Sequence, residues 1–257
     1  MASTITFQGA LAHIGRLGAG WVAGWWRVVH LGALLLVLAL SPASYTADNR
    51  RALLRHLYVG TAPTLLWFSV ISTLISLVLI RIVLVTALSY GLSQYALEMV
   101  VRVLVLELIP LTAALFAALR CTIPNAAEIA TLPASEQLLR GEVLPRVAAG
   151  VFCALMLAAV SCVVTLVVAY LSVYGLSTSG FAAYTHTVGH VFDAGVSLVF
   201  GLKILLLGMA VALVPVAVVL DQAARGRSRT SAELQGLVRM FLLILLIEAA
   251  SLVGNYY

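Results

Sequence analysis

Five long apolar runs, separated by short polar stretches, dominate the 257 residues. Within each run the apolar residues are continuous and do not alternate, which is the pattern of helices and not of half-buried strands. A helix needs about 20 apolar residues to cross a hydrocarbon layer roughly 30 Å thick. Residues 63–87, 99–119, 147–173, 195–220 and 237–253 meet that length. In lipid only helices and closed barrels satisfy their own backbone, and the lack of period-two alternation argues against the barrel. The pattern therefore predicts an all-α integral membrane protein with five transmembrane helices. It forms a single domain, 1–257, with residues 1–60 as a cytoplasmic or interfacial N-terminal region and residues 61–257 as the bundle.

Residues 16–45 need a separate reading. The run Leu31–Leu40 followed by Ser-Pro-Ala-Ser has the look of a signal peptide and cleavage site. Against that, the preceding region is long, Trp21, Trp25 and Trp26 lie in it, and Arg27 interrupts it. Arg16 and Arg27 stand before the run, and Arg50, Arg51 and Arg55 after it. Cations on both flanks favour keeping both ends on one side, so the segment is expected to lie in the inner leaflet with its tryptophans at headgroup depth.

Composition agrees with the pattern. Hydrophobic residues make up 63% of the chain and charged residues 10%, with a mean hydropathy of +1.10; a soluble domain carries roughly 25% charged residues. The net charge of +5 does not point to nucleic acid, because the charges sit in short loops between apolar runs. The loops 88–98 and 174–194 hold no Lys or Arg, whereas regions 1–60, 120–146 and 221–239 hold five, three and four Arg. This asymmetry places the N-terminus in the cytoplasm and the C-terminus outside. Cys121, Cys153 and Cys162 form no CxxC pair, and their expected role is buried thiols without redox or metal function.

Five ionisable residues remain inside the spans: Arg81, Arg102, Glu107, Lys203 and Glu248. Each charge left at the bilayer centre costs about 3 kcal/mol on insertion scales, so these residues are expected to pair or to line a wet cavity. With the orientation above, all five fall at the midplane or in the outer half. Three cations against two carboxylates suggest a cavity suited to an anionic headgroup. The alternative is that Arg81 and Arg102 snorkel to the outer headgroups.

His186 and His190, at i, i+4 with Asp193 nearby, have metal-ligand spacing on a helix, but no further ligands accompany them, and an interfacial pair is expected instead. No G-x-x-x-x-G-K-[ST] loop occurs in the chain, so any ATP must be hydrolysed by another subunit. No nucleophile, metal set or cofactor motif stands out, which argues against an enzyme.

Glu107-Leu108 with Pro110, Arg120, Ala127-Glu128-Ile129, Glu136-Gln137 and Pro145-Arg146 follow one another in an order and spacing that resemble the MlaE/YrbE permease subunits of MCE-type lipid ABC transporters. LLRHLYVG at 53–60 is similar to that family's approach to its first span, Lys203 matches a lysine early in the fourth, and Glu248 falls where the family often has an acid. The resemblance extends over roughly residues 50–257. It implies a dimeric permease, homo- or heterodimeric, in a bacterial inner membrane. Two cytoplasmic ATPase subunits would supply ATP and Mg, no cofactor would sit in this chain, and an MCE-domain protein would lie on the periplasmic face. The substrate class would be phospholipid. Residues 121–139 would contain a coupling helix, with Arg120, Glu128, Glu136 and Gln137 facing the ATPase. Glu107, Lys203, Glu248, Arg81 and Arg102 would then be the substrate-cavity candidates.

The chain also departs from the family pattern. Leu106 stands where an arginine is usual, Arg-Cys-Thr-Ile-Pro at 120–124 replaces a glycine-rich stretch, and Pro133 falls inside the expected coupling helix. The loop to Pro145 is short, and Asp-Gln-Ala-Ala-Arg-Gly-Arg replaces a glycine-rich segment before the last span. Two other readings stay open at this point: a self-contained ion or proton pathway, and a degenerate partner in a heterodimeric permease.

Overall fold

A computed structural model describes residues 22–42, 47–132, 138–225 and 229–256, and among them no strand occurs. Helix α1 (Val22–Leu40) precedes α2 (Ala47–Ser89). Gly91, at φ 73°, turns the chain into α3. That helix runs through Ser93–Val100, Val101–Leu108, Ile109–Ala117, Ala118–Thr122 and Ile123–Ile129 without a break. Helix α4 comprises Leu139–Val143 and Leu144–Tyr174, α5 is Phe181–Val191, α6 is Ala194–Arg225 and α7 is Arg229–Tyr256. Six helices, all but the short α5, are long and apolar enough to cross a membrane, one more than the five spans expected. The additional one is α1.

Prolines shape this bundle. The segments Val101–Leu108, Ala118–Thr122 and Leu139–Val143 are wide, π-type turns. Each is followed by an α-helical segment whose second residue is proline: Pro110, Pro124 and Pro145. A proline ring crowds the carbonyl one turn back and offers it no N–H, and a widened turn relieves the clash without ending the helix. This explains why the expected coupling helix is not separate. Ile123–Ile129 occupies its place, but as a continuation of α3. Pro133 lies outside the described residues.

Helix α6 is the centre of the bundle; its residues 211–218 are all buried. Small residues bring α3, α4 and α6 close around it: Ala113, Ala114, Ala117 and Ala118 meet Cys153, Ala154 and Ala158, with Ala210, Val211 and Val214 from α6. Close approach of this kind supplies dispersion where lipid removes the hydrophobic driving force. A Cβ on Gly150 would lie 2.7 Å from the Thr122 methyl and 3.3 Å from the Ala212 Cβ. Gly150→Val is therefore expected to cost about 1–3 kcal/mol by overpacking, seen as a lower melting temperature in detergent.

Helices α2 and α4 pack along a hydroxyl-bearing seam, in which the Ser76 and Thr165 hydroxyls are 2.7 Å apart. At the Arg-rich end of that seam the Cys121 and Cys153 thiols lie 3.2 Å apart, and Cys121 Sγ is 3.2 Å from the Gly60 carbonyl. At the opposite end the Tyr184 hydroxyl of α5 donates to the Leu166 carbonyl at 2.7 Å. Burial pushes that phenol up to about 12, so it remains a donor.

Helix α1 makes contacts with the bundle near the Arg-rich end from both of its halves. Arg27 pairs with Asp221 at the end of α6, and a Cβ on Gly24 would meet the Arg239 guanidinium. Further along, Leu35 and Leu38 pack with Ala126, Ile129, Val143 and Leu144. A helix crossing the bilayer would start at one end of the bundle and finish at the other. Arg27, Leu35 and Leu38, from both halves of α1, all meet residues of the Arg-rich end.

Candidate functional site

Three of the five charges placed inside the spans come together. Lys203, on α6, has a side chain only 1% exposed. Its Nζ contacts Glu107 Oε2 from α3 and Glu248 Oε2 from α7, the latter at 2.6 Å. The two carboxylate side chains are 17% and 13% exposed. The triad thus ties three spans together, between the central apolar cluster, to which Leu207, Ile244 and Ile247 belong, and the opposite-end cluster around Leu106 and Ile109.

The local backbone explains how Glu107 reaches the lysine. It sits in the wide turn Val101–Leu108, three residues before Pro110. Pro110 has no N–H to return to the preceding turn, and the Leu106 carbonyl accepts instead from Lys203 Nζ at 3.2 Å. Lys203 therefore fills a backbone vacancy and neutralises a carboxylate on the same turn. Glu248 Oε1 and, one turn later, Ser251 Oγ are buried and have no hydrogen-bond partner among the described residues. Buried polar atoms are nearly always satisfied, so this flank of α7 calls for water, a ligand or a neighbouring molecule.

Arg81 and Arg102 do not join the triad. Arg102 pairs one turn back with Glu98 at 3.0 Å. Arg81 is exposed on α2 and takes part in no ion pair among the described residues. Among the described residues the buried cluster therefore has one cation against two carboxylates, with Arg81 and Arg102 standing apart from it.

A second charged group gathers at the Arg-rich end. Arg146, near the start of α4, reaches Glu142 at 3.0 Å and Glu128 at 3.7 Å. The Glu128 side chain is 66% exposed, and Arg120 is exposed within the wide turn Ala118–Thr122. Ala126 and Ile129, on the same short stretch as Glu128, are buried against α1 and α6. That stretch thus has a fixed apolar face and an open charged face. Glu136 and Gln137 lie outside the described residues.

Sequence reasoning missed three partners. Glu98 and Glu142 stand at i, i+4 from Arg102 and Arg146, a spacing that could have revealed both pairs. The Arg27–Asp221 pair joins distant segments and carries no such signal. His186 and His190 are exposed around an opposite-end groove of about 330 Å³ with Tyr95 and Glu98. Among the described residues no three His, Cys, Asp or Glu side chains gather closely enough to hold a metal.

Residues 53–253 match the family described as Permease MlaE. The matched stretch takes in the triad, the wide turns and the Arg146 cluster, and leaves out α1. No curated protein shows a match to the chain.

Proposed function

Because the chain belongs to the Permease MlaE family, a family of multi-pass transport proteins and not of catalytic enzymes, we propose that it is the transmembrane subunit of an ABC transporter that moves phospholipid between the inner membrane and the outer envelope. The observation that carries this reading is the buried Lys203–Glu107–Glu248 triad on three different spans. A buried ion cluster is a poor source of stability compared with apolar packing, so its retention in a membrane interior argues for work. In this proposal the Arg-rich end is cytoplasmic, α1 lies in the plane of the inner leaflet, and the opposite end is periplasmic.

The charge balance suggests how the triad would act. Lys203 is already neutralised, so an anionic headgroup could bind it only by displacing a carboxylate. Displacement would loosen α3 or α7 from α6, linking arrival of the lipid to a change in helix packing. Glu128 and Arg120, on the open face, would meet separate ATPase subunits that bind ATP and Mg. A second permease copy, identical or related, would cover the exposed flank of Glu107 and Glu248, and an MCE-domain subunit would receive lipid outside.

The test is isolation of the chain in mild detergent with whatever assembles on it, followed by lipid mass spectrometry and an ATPase assay. The proposal expects an ABC ATPase and phospholipid in the complex. A chain that purifies without any ATPase and conducts protons or ions alone in liposomes would instead support the self-contained pathway.

A further inference from the structure

Helix α1 buries one face and leaves a groove along each flank of that face. One groove, of about 350 Å³, is apolar, with Gly32, Leu36 and Ala39 set against Leu144, Phe152 and Leu155 of α4. The other, of about 1070 Å³, has Leu34 and Val37 as an apolar wall and His30, Ser41, Asn49 and Arg140 at its rim. The apolar groove reaches into the span of α4, whereas the polar-rimmed one sits at the Arg-rich end. Such a division of flanks suits a helix at the boundary between headgroups and acyl chains.

The rim has an uncommitted cation. Arg140 is exposed and makes no ion pair among the described residues. Glu142, two residues on, is turned to Arg146 at 3.0 Å. Arg50 and Arg51 follow Asn49 on the exposed first turns of α2 and add to the local positive field. An apolar wall beside a polar rim selects an amphiphile, and the charge selects one with an anionic head. A guanidinium binds phosphate through paired N–H donors, and basic pockets at the cytoplasmic ends of spans hold anionic lipid headgroups.

We propose that this groove, between α1 and the start of α4, holds an anionic glycerophospholipid, with its phosphate on Arg140 and the first methylenes of its acyl chains along Leu34 and Val37. The occupant is bound to brace α1 on the bundle and is not the lipid in transit. The site is at the other end of the bundle from Lys203 and does not depend on the transport reading.

The full chain, purified in detergent, would be titrated with phosphatidylglycerol or phosphatidylcholine of matched acyl chains, following retention by native mass spectrometry and the melting temperature. Phosphatidylglycerol is expected to be retained and to raise the melting temperature, with phosphatidylcholine at least tenfold weaker. Arg140→Glu is expected to weaken phosphatidylglycerol retention at least tenfold while leaving the lipid-free melting temperature unchanged. Should that variant fold poorly, Arg140→Gln gives the same reading with a smaller loss. Equal retention of the two lipids, or retention unaffected by either Arg140 variant, would overturn the assignment. Displacement of phosphatidylglycerol by millimolar inorganic phosphate would overturn it too, by making the groove a site for the free anion.

Discussion

Lys203→Met is expected to destabilise the folded chain by about 3–5 kcal/mol, because it leaves Glu107 and Glu248 buried beside one another without a counter-ion. The same substitution also removes the donor that satisfies the Leu106 carbonyl beside Pro110. Stability alone would not separate a transport role from a structural one. The informative variant is the triple neutral form, Lys203→Met with Glu107→Gln and Glu248→Gln. Removing all three charges together removes the desolvation problem, so its melting temperature should return to within a few degrees of the parent. If the triad works in transport, lipid movement by the triple variant stays at least tenfold below the parent despite recovered folding. Full recovery of transport together with stability would reduce the triad to a structural tie between α3, α6 and α7.

The second large effect is expected at the other end. Glu128→Arg should leave the melting temperature nearly unchanged, because its carboxylate is 66% exposed and its contact with Arg146 is long, at 3.7 Å. Arg146, itself only 11% exposed, keeps Glu142 at 3.0 Å as its counter-ion, and a long pair to a carboxylate as exposed as Glu128 contributes about 0–1 kcal/mol. The apolar anchors Ala126 and Ile129 are untouched and keep the stretch in place. If this open face meets an ATPase subunit as proposed, reversing its charge should nevertheless repel that subunit. The expected result is at least a tenfold loss of ATPase co-purification or of lipid-stimulated ATP hydrolysis. Intact ATPase assembly on this variant would place the coupling contact elsewhere.

The architecture was legible in the sequence because membrane insertion acts on each segment by itself. A run such as 195–220 reports its own burial in the helix Ala194–Arg225. The triad was half legible. Insertion cost marked Glu107, Lys203 and Glu248 as residues in need of partners, but it marked Arg81 and Arg102 equally. What separates them is rotation about the helix axis. Lys203 faces inward on α6, Arg81 faces outward on α2, and Arg102 finds Glu98 on its own helix. Within α3 the rotation also depends on the wide turn Val101–Leu108, which holds both Arg102 and Glu107 and shifts their side chains around the axis relative to a regular helix. A pattern read at 3.6 residues per turn cannot carry across such turns. The same turns explain why the stretch with Glu128 continues α3 when a separate helix was expected.

Helix α1 shows the converse limit. Its length and hydropathy qualify it as a span. Charges on both flanks pointed instead to the membrane surface, and its contacts with Asp221, Arg239, Ile129 and Leu144 all lie near one end of the bundle. Length licenses a crossing without requiring one.

The central claim is that charges on three spans of this permease serve ATP-driven movement of phospholipid. The most direct measurement is transfer of a labelled phospholipid by proteoliposomes holding the purified complex, comparing the parent with the triple neutral variant, with and without ATP. ATP-dependent transfer by the parent is expected, with a folded, ATPase-bound triple variant whose transfer falls at least tenfold. Transfer by that variant at the parental rate, or transfer by neither protein in a complex that hydrolyses ATP, would contradict it.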